Sequence, residues 1–203
     1  MKVVYAIEDW IRRHSPGEIH PHPNKNSKVP VFRGFEDPRY QLHDGLIVHI
    51  ADSVFVETGA YDSLDRAECD RLGIPVAQAD YLGGSIVCMP GDLSLCRITW
   101  GNDDWAKDIA DLSTAWLTDK GLTVTRDHND LLIDGKKVVS WARATNISGW
   151  CMSVVHYSIG PMDADLVDQI CRKTMIKTPG SLGEYGINAT DVLKAILPDI
   201  ERS

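Results

Sequence analysis

Tyr81-Leu-Gly-Gly-Ser-Ile-Val-Cys-Met-Pro-Gly-Asp-Leu93 sets two bare glycines ahead of a short apolar run and closes it with a second turn, Pro90-Gly91-Asp92. Without a Cβ, Gly83 and Gly84 let the backbone come close to a ligand and offer it N–H groups, although twin glycines also serve ligand-free turns. Further on, Asn129-Asp130-Leu131-Leu132-Ile133-Asp134-Gly135-Lys136-Lys137-Val138 reads as two strands joined at Asp134-Gly135, because a tight two-residue turn needs positive φ. Lys137 then sits on a strand, where a lysine is ordinarily a solvated charge, and Asn129 and Asp130 can simply cap the hairpin. Cys171 has Arg172 and Lys173 beside it to favour a reactive thiolate, or it is a small hydrophobe on a buried helix face. Cys88 has the same two readings. His156, within a strand, is a half-buried hydrogen-bonded imidazole or a base, and His128, before Asn129, is placed to touch a phosphate. His20 and His22 lie in a Pro-rich loop without a third ligand, so no metal is assigned there.

The elements that must position these groups alternate strands with helices. Residues 46–50, 53–57, 74–77, 85–88, 93–100, 122–125, 130–133, 137–139 and 154–158 are expected as strands from their β-branched or alternating composition and flanking turns. Residues 63–72 read as a helix closed by Gly73, and 103–119 as an amphipathic helix with Trp105, Ile109, Leu112, Ala115 and Trp116 on its apolar side. Residues 163–173 and 190–197 read as two more helices, the last ending before Pro198. The pattern predicts an α+β fold, a mixed and largely antiparallel sheet with packed helices. Residues 1–45 are the least regular, with a short helix over 7–14 and a polar loop over 20–26. Residues 46–203 form the expected functional domain, and the whole is expected to be one compact unit.

The 203 residues, 43% hydrophobic and 25% charged, suffice for a real core and are typical of a globular chain. The net charge of −8 argues against broad nucleic-acid binding, which rests on clustered Lys and Arg. No apolar run is long enough to cross a bilayer, and the first residues do not resemble a secretory signal, so a cytoplasmic protein is expected. Five scattered cysteines without a CxxC pair support neither a disulfide framework nor a zinc ribbon.

Three segments together resemble the lipoate and octanoate protein ligase/transferase family, of the class II synthetase and biotin/lipoate ligase-like fold. Leu72-Gly-Ile-Pro-Val76 followed by Gly83-Gly84-Ser85-Ile86-Val87 and Pro90-Gly91-Asp92-Leu93 is similar to that family's glycine-rich turn and strand. Asn129 to Val138 resembles its signature hairpin, whose lysine corresponds to Lys137. Gly180-Ser-Leu-Gly-Glu184 through Leu193-Lys-Ala-Ile196 resembles its closing segment. The resemblance implies that a carboxylic acid such as lipoate is activated by ATP with magnesium and joined to a lysine amine on a lipoyl-type carrier domain. Lys137 would then stabilise the acyl or adenylate oxygens as charge develops. Gly83, Gly84, Ser85, Ile86 and Cys88 would form the ligand wall, with Asn129 and Asp130 beside it. Trp141, where a small residue is usual, would either narrow the pocket or point into the opposite core.

The chain also departs from that pattern. The family's Arg pair before the glycines is replaced by Ala77-Gln78-Ala79-Asp80, which weakens binding of an anion there, and Val87-Cys88 replaces an aromatic-His pair. Two alternatives follow. One is a catalytically degenerate binding or scaffold protein of the same fold. The other is an ATP-independent acyltransferase working through a cysteine thioester, for which Cys171 follows Lys137 at a separation similar to that branch's.

Overall fold

The structure, a computed structural model, describes residues 3–4, 45–58, 64–78, 85–101, 104–145, 149–171 and 177–200. The helix expected over 7–14, the loop over 20–26, and Gly83, Gly84, Arg172 and Lys173 lie outside these. Among the described residues the strands are β1 (Val3–Val4), β2 (Gly45–Ile50), β3 (Phe55–Thr58), β4 (Val76–Gln78), β5 (Ser85–Cys88), β6 (Leu93–Trp100), β7 (Val124–Asp127), β8 (Asp130–Ile133), β9 (Lys136–Thr145) and β10 (Trp150–Tyr157). The helices are α1 (Arg66–Leu72), α2 (Trp105–Asp119), α3 (Ala164–Ile170) and α4 (Ala189–Ile200).

A seven-stranded sheet runs β1-β2-β6-β10-β9-β8-β7, and a three-stranded sheet runs β4-β3-β5. Every pairing in the large sheet is antiparallel except β1 with β2. The fold is thus mixed α+β with a largely antiparallel sheet, as the sequence pattern predicts. Each turn has a local cause. Asp134 and Gly135 both take positive φ, 52° and 76°, as a tight hairpin whose twist matches its strands requires. The Asp65 carboxylate accepts the Glu68 N–H at 3.1 Å to start α1, and Gly73, at φ 71°, ends it.

Helices α2 and α4 cover one face of the large sheet. Leu46, Val48, Leu93, Leu95, Val139, Trp141, Val155 and Tyr157 from the strands are buried there with Trp105, Ile109, Leu117, Val192 and Ile196 from the helices. The buried stripe of α2 differs from the expected one: Ala115 is exposed, and Ala106, Ala110, Ser113 and Leu117 are inside. Ser113 is admitted because its hydroxyl is satisfied, donating to the Ile109 carbonyl at 2.7 Å and lying 2.8 Å from the Tyr157 hydroxyl. Trp116 stays half-buried, with the Lys120 ammonium 5.2 Å from its ring. A second, smaller core joins the small sheet to α1 and α3 through Val56, Leu64, Cys69, Val76 and Ile170.

Several boundaries move. The strand expected at 122–125 begins at Val124, because the N–H groups of Gly121 and Leu122 still close α2. Helix α3 stops at Ile170 rather than 173, since Cys171 turns extended (φ −100°, ψ 127°) and pairs with Leu64. Helix α4 runs past Pro198, which stands in its last turn, where a missing N–H removes only one late hydrogen bond.

The closing segment docks on the hairpin. Ser181 donates to the Ile159 carbonyl at 2.7 Å and accepts the Gly183 N–H at 3.0 Å, starting a 3-10 turn over Leu182–Tyr185. Gly180 lies so close to β9 that a Cβ there would stand 2.7 Å from the Lys136 Cβ. Gly180→Ala should therefore cost about 1–3 kcal/mol of stability through overpacking. Thermal melting checks this, with an expected fall of a few to about 10 °C for a chain of this size; an unchanged midpoint would contradict the close contact.

Candidate functional site

The face of the large sheet away from α2 and α4 carries the polar groups. His49, Ser94, His156, Ser140 and Asp130 are successive cross-strand partners along one rung through β2, β6, β10, β9 and β8. The small sheet overlies the β2–β6 end of this face. Phe55 of β3 meets the His49 ring edge-on at 5.5 Å, and the Glu57 charge reaches the thiols of both Cys88 on β5 and Cys96 on β6. Further along β9, Ser140, Ala142 and Ala144 form a half-buried strip of small side chains on the same face. The polar face is thus flanked by the small sheet at its β2–β6 end and carries on β9 a small-residue strip leading away from the hairpin, and this face is the candidate cleft.

Lys137 reaches this face through a β-bulge. Leu131 pairs with Val139 but Leu132 pairs with Lys137, which leaves Val138 as the extra residue. Val138 and Val139 both enter the helix-side core, 0% and 1% exposed, so the alternation resets and Lys137 falls on the side of Ser140 rather than that of Trp141. Its Nζ lies 3.8 Å from Asp130 Oδ1, and the side chain is 34% exposed. The strand is held from the other side too: the Lys137 N–H donates to the Thr178 carbonyl and the Gly180 N–H to the Lys137 carbonyl, both at 2.8 Å.

Two residues that motif reading missed shape this corner. Lys177, 18% exposed, lies 2.6 Å from Asp130 Oδ2, 3.0 Å from Asp127 Oδ2 and 3.0 Å from the Asp127 carbonyl. Asp92, 1% exposed, accepts the backbone N–H groups of Met89 (2.8 Å), Ile159 (2.7 Å) and Gly160 (2.8 Å), and its Oδ2 lies 3.5 Å from His156 Nε2. Burial by itself would raise the Asp92 pKa, but His156 and the backbone donors outweigh it and hold the carboxyl below the usual range. Asp92 thereby pins the turn after β5 to the loop after β10. A lone acid at the end of a Pro-Gly turn gives little sign of this in sequence, and Lys177 lies far along the chain from the hairpin it serves.

The other candidates are spread out. Ile86 and Cys88 on β5 share the inward face with Glu57, while Ser85 alternates to the side of Val87, which packs toward α1 and α3. Gly83 and Gly84 being outside the described residues, their position relative to Lys137 stays an expectation. Asn129 is exposed in the β7–β8 turn and its carbonyl accepts the Trp141 N–H at 3.0 Å. Trp141 itself points into the helix-side core, with the Arg126 guanidinium 4.6 Å from its ring, so its indole takes the opposite-core alternative. His128 is exposed, 3.7 Å from Asp127 Oδ1. His156 is buried, with Nδ1 3.1 Å from the Ser94 hydroxyl.

Cys171 packs against the small core beside Cys69. Burial, with Asp168 adding to it, pushes its thiol up, and burial pushes Cys69 up to about 11. Thiolate being the reactive form, alkylation of Cys171 at pH 7 should run slower than that of an ordinary exposed thiol. Iodoacetamide labelling followed by peptide mass spectrometry reads this, and rapid selective labelling of Cys171 would overturn it.

These features, a large antiparallel sheet, a smaller sheet over one face and a hairpin lysine on that polar face, define an α+β domain with the lipoate-protein ligase fold. No protein-family model and no curated protein matches the chain. Solved structures do. A T. acidophilum lipoate protein ligase with bound lipoic acid superposes with a TM-score of 0.60 at 16% identity, over 77% of this chain and 71% of that one. A structure from the archaeal lipoylation system of Thermoplasma acidophilum, which comprises a bipartite lipoate protein ligase and its E2 lipoyl domain, gives 0.62 at 16% identity over 78% and 70%. Lipoate-protein ligase A bound with ATP gives 0.63 at 16% identity over 77% and 71%. At that identity the likeness establishes the fold. Among the described residues no helix is long and apolar enough to cross a membrane.

Proposed function

We propose that the chain activates a carboxylic acid as its acyl-adenylate and transfers the acyl group to a lysine amine on a small carrier domain, as a lipoate- or octanoate-type ligase. The observation that carries this is the bulge at Val138, which brings the Lys137 ammonium to the cleft face at the head of the Ser140-Ala142-Ala144 strip. An acid lying along that strip has its carboxyl end near Lys137. Its oxygen attacks the α-phosphorus of ATP, pyrophosphate leaves, and the ammonium stabilises negative charge on the acyl and phosphoryl oxygens. The carrier's amine then attacks the acyl carbon, AMP departs and the amine loses its proton. Magnesium would come bound to the phosphates of the nucleotide. The neighbours with bound lipoic acid and with bound ATP, and the one whose lipoylation system includes an E2 lipoyl domain, support the choice of acid, nucleotide and acceptor.

The test is acid-dependent pyrophosphate release from ATP, magnesium and lipoate or octanoate, with and without Lys137. A second proposal, a degenerate binding protein, draws on the charge balance of the corner, where among the described residues the two cations Lys137 and Lys177 face the two carboxylates Asp127 and Asp130. Tight binding of an acid without pyrophosphate release would favour it. A cysteine-linked acyl adduct at Cys171, seen by intact mass after exposure to octanoyl-loaded acyl carrier protein, would instead favour the thioester route.

A further inference from the structure

We infer that Lys177 is a positioning residue that keeps the Lys137 ammonium available to the cleft by occupying Asp130. This rests on the reading of Lys137 as the cation that meets the acyl and phosphoryl oxygens. The Asp130 carboxylate lies within reach of both lysines, but the two contacts are unequal: 2.6 Å to Lys177 and 3.8 Å to Lys137. Lys177 is further fixed by the Asp127 carboxylate and carbonyl, each at 3.0 Å, while Lys137 has no second carboxylate partner within 4.0 Å among the described residues. Position follows from backbone. The residues after Lys177 run alongside the start of β9, bonded to both the N–H and the C=O of Lys137, so the two ammonium groups are held on either side of one carboxylate.

The consequence is a division of labour between two lysines. Lys177 neutralises Asp130 with a short, half-sheltered contact and leaves Lys137 at the margin of an ion pair. Remove the Lys177 charge, and Lys137 becomes the nearest described cation to Asp130. The contact would then tighten, holding Nζ against β8 and away from a reagent that approaches the open face.

The experiment follows acylation of the Lys137 amine by a small amine-reactive ester in the intact chain, quantified by peptide mass spectrometry against exposed Lys194 on α4. In Lys177→Met the Lys137 rate should fall about two- to fivefold, the factor of a partly exposed ion pair. Lys177→Arg should keep the rate near that of the unaltered chain, and Lys177→Met combined with Asp130→Asn should restore it. Restoration by a second substitution separates this role from a structural one, which the double variant would only worsen. If Lys177→Met melts below the assay temperature, Lys177→Gln makes the same comparison with a hydrogen bond in place of the charge. An unchanged or faster Lys137 rate in a folded Lys177→Met or Lys177→Gln chain overturns the inference, as does a double variant that stays slow. Absence of pyrophosphate release from every chain, the unaltered one included, would instead sink the ligase proposal while the labelling result stands.

Discussion

Lys137→Ala should lower acid-dependent pyrophosphate release by about 10²–10³-fold, the loss typical of removing one preorganised donor from developing negative charge. The effect should fall on turnover rather than folding. The side chain is a third exposed and its ion pair with Asp130 is long, at 3.8 Å, so the melting temperature should change little. Lys136→Ala is the matched control: the preceding lysine pairs with Glu184 at 2.8 Å at the hairpin's other side, and its loss should leave release within about twofold, as expected for an exposed ion pair. Equal losses from the two lysines, or retained release in Lys137→Ala, would remove Lys137 from the chemistry.

The largest effect on stability is expected at Asp92. Replacing it by alanine removes the acceptor of three buried backbone N–H groups and the carboxylate that lies 3.5 Å from the buried His156 Nε2. The cost should be about 3–5 kcal/mol, since unsatisfied buried donors lose their full solvation and a charged acceptor makes the stronger bonds. A denaturant midpoint reads it. The pH dependence has a definite sign: the carboxyl is held lower in the folded chain than in the unfolded one, so its contribution is complete at neutral pH. It fades as pH falls below about 4, the unfolded value, toward the lowered native one. The stability gap between the unaltered chain and Asp92→Ala should accordingly narrow between about pH 5 and pH 3. A gap constant across that range would mean that the charge on Asp92 contributes nothing.

Much of the fold was legible in local pattern. The Asp134-Gly135 turn, the Gly73 cap and the strands at 85–88 and 93–100 depend on φ preferences and side-chain alternation, which a few adjacent residues settle. Motif likeness likewise pointed to the fold that the solved neighbours share. Local pattern misled where a distant partner intervened. Cys171 leaves the helix because Leu64 pairs with its backbone, and Ser113 enters the core because Tyr157 meets its hydroxyl.

The candidate site divides in the same way. The sequence by itself determined that a lysine stands on a hairpin strand, that Asn129 and Asp130 precede it, and that a tail with Gly180-Ser-Leu-Gly-Glu184 follows. Which way Lys137 faces was decided only in three dimensions, because strict alternation from Trp141 would send it into the helix-side core and one extra residue at Val138 turns it to the cleft. The same holds for Lys177 and Asp92. Their partners are remote in sequence, and a charge is drawn to its counter-charge by distance through space, to which spacing along the chain is no guide.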